Sequence, residues 1–196
     1  TYFTREWGDN VDDWSSHNSP SRVARNWGEQ PMRVQAQHYA CPYYPVTSYD
    51  VLHKQSPQHV GGCLWHSFDH QRGYHPDPFY GGLMDVFRQP KYSYYMFMAQ
   101  RPAVKNDRNA GSGPMVYIAH EMTPFSGKDV TVYSNCDEVR LTFNKGGKTY
   151  TYKKDKNRPG MPSPVITFPD VYDFMVDKAF SRTQKQDDVY LLAEGL

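Results

Sequence analysis

Apolar residues recur in two short strand-like runs near the start of the chain, with helical sequence between them. Strands are predicted over residues 1–9 and 61–69, where tryptophan, acidic residues and histidine gather at the ends. Pro31 is expected to start a helix whose apolar side includes Met32 and Tyr39. This order indicates a βαβ unit, in which polar groups at the strand ends place chemistry at the C-terminal edge of a parallel sheet.

Further along the chain, the pattern changes from helical to alternating. Residues 70–79 are expected to form an irregular loop, and Pro90 to open a helix over residues 91–100. The polar, glycine-rich run 106–113 is the best domain linker. Strands are then predicted over residues 115–119, 130–133, 139–143, 150–153, 165–168 and 189–193, with a hairpin turn at 144–147. The chain is therefore expected to be α/β followed by an all-β sandwich.

Composition narrows the classes of partner. A net charge of +1 over 196 residues gives no electrostatic reason to expect nucleic acid or an anionic membrane. No stretch approaches the roughly twenty apolar residues that a membrane helix needs. Three cysteines without metal-binding spacing argue against a disulfide framework or a zinc knuckle. Aromatic residues make up 15% of the chain, which suits a carbohydrate site, although most of these rings are expected to fill cores.

Four segments, in this order, resemble the β-galactosidases of glycoside hydrolase family 2. Residues 2–9 resemble the strand whose Glu-(Tyr/Trp)-Gly-type motif carries the catalytic nucleophile, and residues 61–69 resemble the Gly-Gly-x-x-Trp strand that follows it. Residues 80–95 resemble the segment that leads into the last barrel helix. Residues 130–143 resemble the Ig-like domain that follows the barrel.

The resemblance implies a fold, two domains and an activity. Residues 1–105 would be the C-terminal quarter of a (β/α)8 TIM barrel, and residues 114–196 an incomplete Ig-like β-sandwich, so the chain is expected to be truncated at both ends. The parent protein would be an exo-acting, retaining β-galactosidase that acts on a β-linked oligosaccharide or polysaccharide without a cofactor. The family favours a periplasmic or secreted bacterial enzyme, while the sequence itself indicates neither a location nor an oligomeric state.

The same resemblance makes Glu6 the predicted nucleophile. A retaining glycosidase holds its nucleophile about 5–5.5 Å from a second carboxyl group, which acts as acid and then as base. Arg5 or a nearby tyrosine would keep Glu6 ionised, and the alternative is that Glu6 only forms a salt bridge. In the family the acid/base is the glutamate of an Asn-Glu dipeptide, which this chain lacks. The acid/base is therefore expected upstream, and this chain alone is expected to be inactive.

Five further residues are expected to contact the sugar. Trp65 resembles the tryptophan that forms part of the floor of the family's sugar subsite, with a barrel-core tryptophan as the alternative. His66 and Asp69 follow it and are placed to reach sugar hydroxyl groups. Asp9 lies at a position that varies in the family. Asn18 lies on a loop at the same face, where a turn-forming role is equally consistent with the sequence.

No metal site is predicted, although one histidine-rich cluster superficially resembles a zinc-binding helix motif. It consists of His66, Asp69, His70 and His75. Glycines before and after the cluster argue against the helix that would bring two of these histidines to one face.

Three other interpretations stay open at this point. The basic stretch 140–158 would either touch an acidic polysaccharide or form a solvated hairpin, and the hairpin is the simpler reading. The chain would alternatively be a non-catalytic structural or carbohydrate-contacting piece. Within the enzyme class, the substrate would alternatively be a β-glucuronide, a β-mannoside or an algal galactan.

Overall fold

The fold was analysed in a computed structural model. It describes residues 1–7, 28–40, 58–71, 73, 78–104, 113–158, 160–175, 182 and 186–196. The chain divides into two compact units. The first unit comprises Thr1–Phe97 with Arg158–Met161, and the second comprises Met98–Asn157 with Pro162–Leu196.

Two parallel strands form the sheet of the first unit. Strand β1 (Tyr2–Trp7) pairs with β2 (His59–Leu64), and the register aligns Trp7 with Leu64. The prediction of neighbouring parallel strands is confirmed. Strand β2 is shorter than predicted and ends at Leu64, because the following backbone bends to pair with residues 79–84 instead of continuing the sheet.

Helix α1 (Glu29–Ala40) lies between the two strands in the sequence. It begins two residues before Pro31, which therefore lies within the first turn. Proline is tolerated there because the N–H groups of the first turn have no partner within the helix. Gly28, at φ +117°, precedes it, and its carbonyl accepts a hydrogen bond from Met32 N at 3.0 Å. The buried residues of α1 are Met32, Gln35, Ala36, Tyr39 and Ala40.

Helix α2 (Tyr92–Met98) is shorter than the predicted helix over residues 91–100. It buries Tyr92, Ser93 and Met96. In the part of the chain that the structure describes, neither helix has the length and hydropathy needed to cross a membrane.

In the part of the second unit that the structure describes, six antiparallel strands form two sheets. They are β3 (Val116–Ala119), β4 (Val130–Ser134), β5 (Glu138–Phe143), β6 (Thr149–Lys153), β7 (Ile166–Phe168) and β8 (Leu191–Gly195). One sheet has the order β3-β4-β7 and the other β6-β5-β8. All six predicted strands are present with shifts of one or two residues at their ends, so the order α/β followed by all-β is confirmed.

Alternate residues of both sheets share one apolar core. Strand β5 shows the pattern, since Val139 and Leu141 are buried while Arg140 between them is exposed. The remaining buried members of the core are Val130, Val132, Ile166, Phe168, Val171 and Tyr172. The predicted turn between β5 and β6 is also present, with Gly147 N donating to Asn144 O at 3.0 Å.

Acidic partners accompany the basic stretch of the second unit. Ion pairs join Arg140 to Glu138 at 2.7 Å and Lys145 to Asp188 at 2.9 Å, and the hydrogen bond to Asp188 raises the pKa of Lys145. Lys156 pairs with Asp137 at 2.7 Å, which lowers the pKa of that carboxyl group. This pairing favours the solvated hairpin over a surface for acidic polysaccharide.

Because the core is shared, replacing leucine by alanine should lower the opening free energy by different amounts on the paired strands β5 and β8. Leu141→Ala should lower the opening free energy of β5 by about 2–5 kcal/mol, because the side chain is fully buried. Leu192→Ala on β8, where the side chain is 46% exposed, should change it by roughly 0.5 kcal/mol or less. Native-state hydrogen exchange at the β5 amides of the full-length protein measures both values. Equal losses for the two variants would contradict the shared core.

Candidate active site

The parallel pairing brings the C-terminal ends of β1 and β2 to one edge of the sheet. Glu6 is the penultimate residue of β1, and Trp65 directly follows β2. Because Trp7 is in register with Leu64, the backbones of Glu6 and Trp65 lie on neighbouring strand ends. The predicted sugar-contacting residues Asp9 and Asn18 lie outside the described residues, as does His75 of the histidine-rich cluster.

Trp65 and His66 open the segment that follows β2. The Trp65 side chain is 41% exposed, and its ring lies 4.8 Å from the His66 ring between centroids. The peptide bond between these two residues is cis. The His66 ring also lies 4.9 Å from His70 and 6.3 Å from Phe79. The result is a cluster of aromatic rings at the end of β2, in which Trp65 is an exposed residue.

The peptide groups of Phe68 orient both histidine rings of this cluster. Its carbonyl oxygen lies 3.0 Å from Nδ1 of His66 and 3.2 Å from Nδ1 of His70. Its backbone N–H lies 3.3 Å from the same His66 nitrogen. In each ring, backbone atoms of Phe68 therefore contact Nδ1. The other ring nitrogen, Nε2, lies across the ring from this contact.

Asp69 forms a buried ion pair with Lys91. The Lys91 Nζ atom lies 2.6 Å from Oδ2 and 2.7 Å from Oδ1 of Asp69, and Gly82 N donates to Oδ1 at 2.9 Å. Asp69 is 8% exposed and Lys91 is 1% exposed. Burial raises the pKa of Asp69, while Lys91 and the Gly82 N–H act in the opposite direction. The predicted contact between Asp69 and sugar hydroxyl groups stays a prediction, and these observed contacts lie within the protein.

Side-chain donors fix the backbone carbonyls of residues 80–82. These hydrogen bonds are Lys91 Nζ to Tyr80 O at 2.9 Å, Gln35 Nε2 to Tyr80 O at 3.1 Å and to Gly82 O at 3.0 Å, and Tyr39 Oη to Gly81 O at 2.6 Å. Gln35 is oriented in turn by Ser93, whose hydroxyl donates to Gln35 Oε1 at 2.7 Å. Three carbonyls that would be costly to bury alone thus receive donors from α1 and from Lys91.

Sequence reasoning missed the role of Gln35, Tyr39 and Lys91. The sequence pattern places Tyr39 only on the apolar side of the predicted helix, and Lys91 only in a segment that resembles the family. The available signal was a glutamine and a tyrosine at i and i+4, which lie on one helix face and both need a partner when buried.

Backbone hydrogen bonds hold the segment 79–84 against the residues that follow β2. Leu83 N donates to His66 O at 3.3 Å, Met84 N to Ser67 O at 3.0 Å, and Asp69 N to Met84 O at 2.9 Å. A Cβ atom at Gly82 would overlap the Asp69 nitrogen and the Phe68 carbonyl carbon. Only glycine permits this close approach.

Within the described residues, no three histidine, cysteine, aspartate or glutamate side chains come together as a metal site. His66 and His70 are neighbours, but the Asp69 carboxylate is bound to Lys91.

Comparison with known proteins relates the chain to glycosidases. No family model matches it. A β-galactosidase of Thermoanaerobacter pseudethanolicus (strain ATCC 33223 / 39E) is 27% identical over 152 residues, covering 64% of this chain and 19% of that protein. A β-glucuronidase from glycoside hydrolase family 2 is 21% identical and superimposes with a TM-score of 0.50, covering 100% of this chain and 18% of the other. A β-glucuronidase of Parabacteroides merdae is 20% identical, with a TM-score of 0.47, over 86% of this chain and 20% of that one.

The predicted resemblance is confirmed, since the chain is similar in sequence to a β-galactosidase and in fold to a β-glucuronidase of glycoside hydrolase family 2. The chain spans about a fifth of the length of each.

Gly82 gives the sharpest test of this local geometry. Gly82→Ala should destabilise the first unit by about 1–3 kcal/mol, because the added methyl group meets backbone that cannot rotate away. Gly73→Ala is the matched control, since a Cβ atom there has nothing within 4 Å. Hydrogen exchange at the amides of residues 66–70 and 79–84 should accelerate in the first variant alone. Unchanged exchange in Gly82→Ala would show that the segments are not packed this closely.

Proposed function

We propose that this chain is part of a retaining glycoside hydrolase, with Glu6 as the nucleophile and Trp65 and His66 in the sugar-binding subsite. The observation that supports the proposal most is the parallel pairing that sets the end of the glutamate-bearing strand beside Trp65. In this proposal residues 1–105 are the last quarter of a (β/α)8 barrel, and residues 114–196 belong to an Ig-like domain. Both assignments rest on the resemblance to family 2 and agree with the order of elements.

The proposed reaction is a double displacement. The Glu6 carboxylate attacks the anomeric carbon, and the bond to the leaving oxygen breaks as a second carboxyl group protonates that oxygen. Water then attacks the covalent glycosyl ester, gives its proton to the same second carboxylate and releases Glu6, so the configuration is retained. The second carboxyl group comes from outside this chain, which has no Asn-Glu dipeptide. No cofactor takes part.

The sugar contacts follow from the exposed groups at the end of β2. Trp65 is exposed, and in this proposal its ring packs against the C–H face of a pyranose ring. His66 presents Nε2 to a sugar hydroxyl group, because backbone atoms of Phe68 occupy Nδ1. Asp9 and Asn18 are proposed as further polar contacts on the strength of their positions in the sequence.

A terminal β-galactoside is the substrate that we propose, and a β-glucuronide is the second candidate. The β-galactosidase relative favours the first and the β-glucuronidase structure of family 2 favours the second. A glucuronide brings a carboxylate that needs a cationic partner. Lys91 does not serve as that partner, because it is buried and paired with Asp69.

Replacement of the nucleophile tests the proposal directly. In the full-length protein, Glu6→Gln should lower kcat by several orders of magnitude and leave sugar binding largely intact, because the amide fills the same space without a nucleophilic oxygen. A 2-deoxy-2-fluoro glycosyl fluoride should label Glu6, as read by peptide mass spectrometry. Glu194→Gln, an exposed carboxylate of β8, is the control and should keep full activity. Label on another carboxylate, with Glu6→Gln still active, would remove Glu6 from this role.

The 196-residue chain by itself should show no turnover of nitrophenyl β-galactoside, β-glucuronide or β-mannoside. It lacks the acid/base, which ordinarily contributes about 10²–10⁴-fold. The full-length protein assayed in parallel identifies the preferred sugar. Turnover by the isolated chain that disappears in Glu6→Gln would place the second carboxyl group within residues 1–196.

A further inference from the structure

We propose that Asp69 and Lys91 are positioning residues that hold Trp65 and His66 in their sugar-binding arrangement. This inference deepens the proposed function and rests on it. It assigns Asp69 to the support of the subsite, where the sequence had suggested contact with the substrate.

The ion pair connects three separate segments of the first unit. Asp69 belongs to the segment after β2, and Lys91 immediately precedes α2. Between them, Gly82 N binds the Asp69 carboxylate and Tyr80 O binds the Lys91 ammonium group. A pair of opposite charges with these directional contacts fixes where the residue 80–82 segment lies, more sharply than apolar packing would.

A short path of hydrogen bonds leads from the pair to the subsite. Gly82 is followed by Leu83, whose N–H donates to the carbonyl of His66 at 3.3 Å. Met84 N reinforces this contact one residue further along, at Ser67 O. Phe79, at the start of the same segment, places its ring 6.3 Å from that of His66. The segment therefore sets both the backbone and the ring position of His66, and Trp65 is bonded directly to it.

The charged atoms of both side chains are occupied by each other and by protein backbone. Lys91 is 1% exposed and Asp69 is 8% exposed, and both oxygens of the carboxylate lie within 2.7 Å of the ammonium nitrogen. The pair can still influence binding through position, because Trp65 and His66 contact a sugar well only when they are held in a defined geometry.

Three variants of the full-length protein separate positioning from general stability. Asp69→Asn and Lys91→Met each leave one charge buried without its partner, and the double variant removes both charges. We expect the double variant to recover most of the unfolding midpoint that the single variants lose. Its KM for nitrophenyl β-galactoside, or for whichever glycoside the protein prefers, should nevertheless stay about tenfold or more above wild type, with kcat changed far less. A role in stability alone would restore KM together with the midpoint, which would overturn the proposal.

Coupling to Trp65 gives an independent readout. If the pair acts through the Trp65–His66 segment, adding the double replacement to Trp65→Ala should raise KM little beyond Trp65→Ala alone. Additive effects would overturn the proposal. The matched control is Asp137→Asn with Lys156→Met, an ion pair of equal length that is 63% and 70% exposed, which should leave KM unchanged.

Hydrogen exchange distinguishes failure of this inference from failure of the proposed function. If the wild-type protein turns over no β-glycoside, the proposed function fails. Hydrogen exchange still tests whether the ion pair holds the Trp65–His66 segment in place. Faster exchange in the double variant, confined to residues 65–70 and 79–84, supports the inference. Unchanged exchange there overturns it, whatever the activity.

Discussion

Burying the Asp69–Lys91 ion pair is the constraint on which the end of β2 depends. Removing two charges from water carries a desolvation cost that only close geometry and additional hydrogen bonds offset. The pair meets this condition through contacts of 2.6–2.7 Å and through Gly82 N and Tyr80 O. Those two backbone groups belong to a segment without regular secondary structure. The hydrogen bonds that stabilise the two buried charges therefore also fix residues 80–82, which belong to neither a helix nor a strand.

Helix α1 holds the same segment from a second direction. Gln35 and Tyr39 reach carbonyls of residues 80–82, and Ser93 orients the Gln35 amide. Because Gly82 has no side chain, the segment lies directly on the backbone of Phe68 and Asp69. The strand ends supply the groups that would meet a sugar, while the polar network beneath them supplies rigidity. A site that relies on orientation benefits from such support, since loosely held groups contact the bound sugar less well.

The second unit was the more predictable part of the chain, for a physical reason. Its strands are specified locally, because alternation such as Val139-Arg140-Leu141 assigns each side chain to the core or to solvent. In the first unit, sequence reasoning identified the parallel strands and the two helices, but not the side-chain contacts that link the segments around them. Asp69 and Lys91 are 22 residues apart and Gln35 and Gly82 are 47 apart, and no local pattern signals such contacts. The end of β2 was overestimated for the same reason, since the backbone after Leu64 pairs with a distant segment.

Similarity of fold and recognition of a particular sugar depend on different features of a structure. Likeness of fold to a β-glucuronidase at 21% identity reflects the arrangement of strands and helices, which galactosidases and glucuronidases of one family can share. Recognition of a uronate depends instead on a cation that is free to meet its carboxylate. In the first unit, Lys91 balances Asp69 and is almost completely buried, so its charge serves the scaffold. The ion pair thus fixes the segment after β2 with its own charges, and recognition of a uronate would require a different cation.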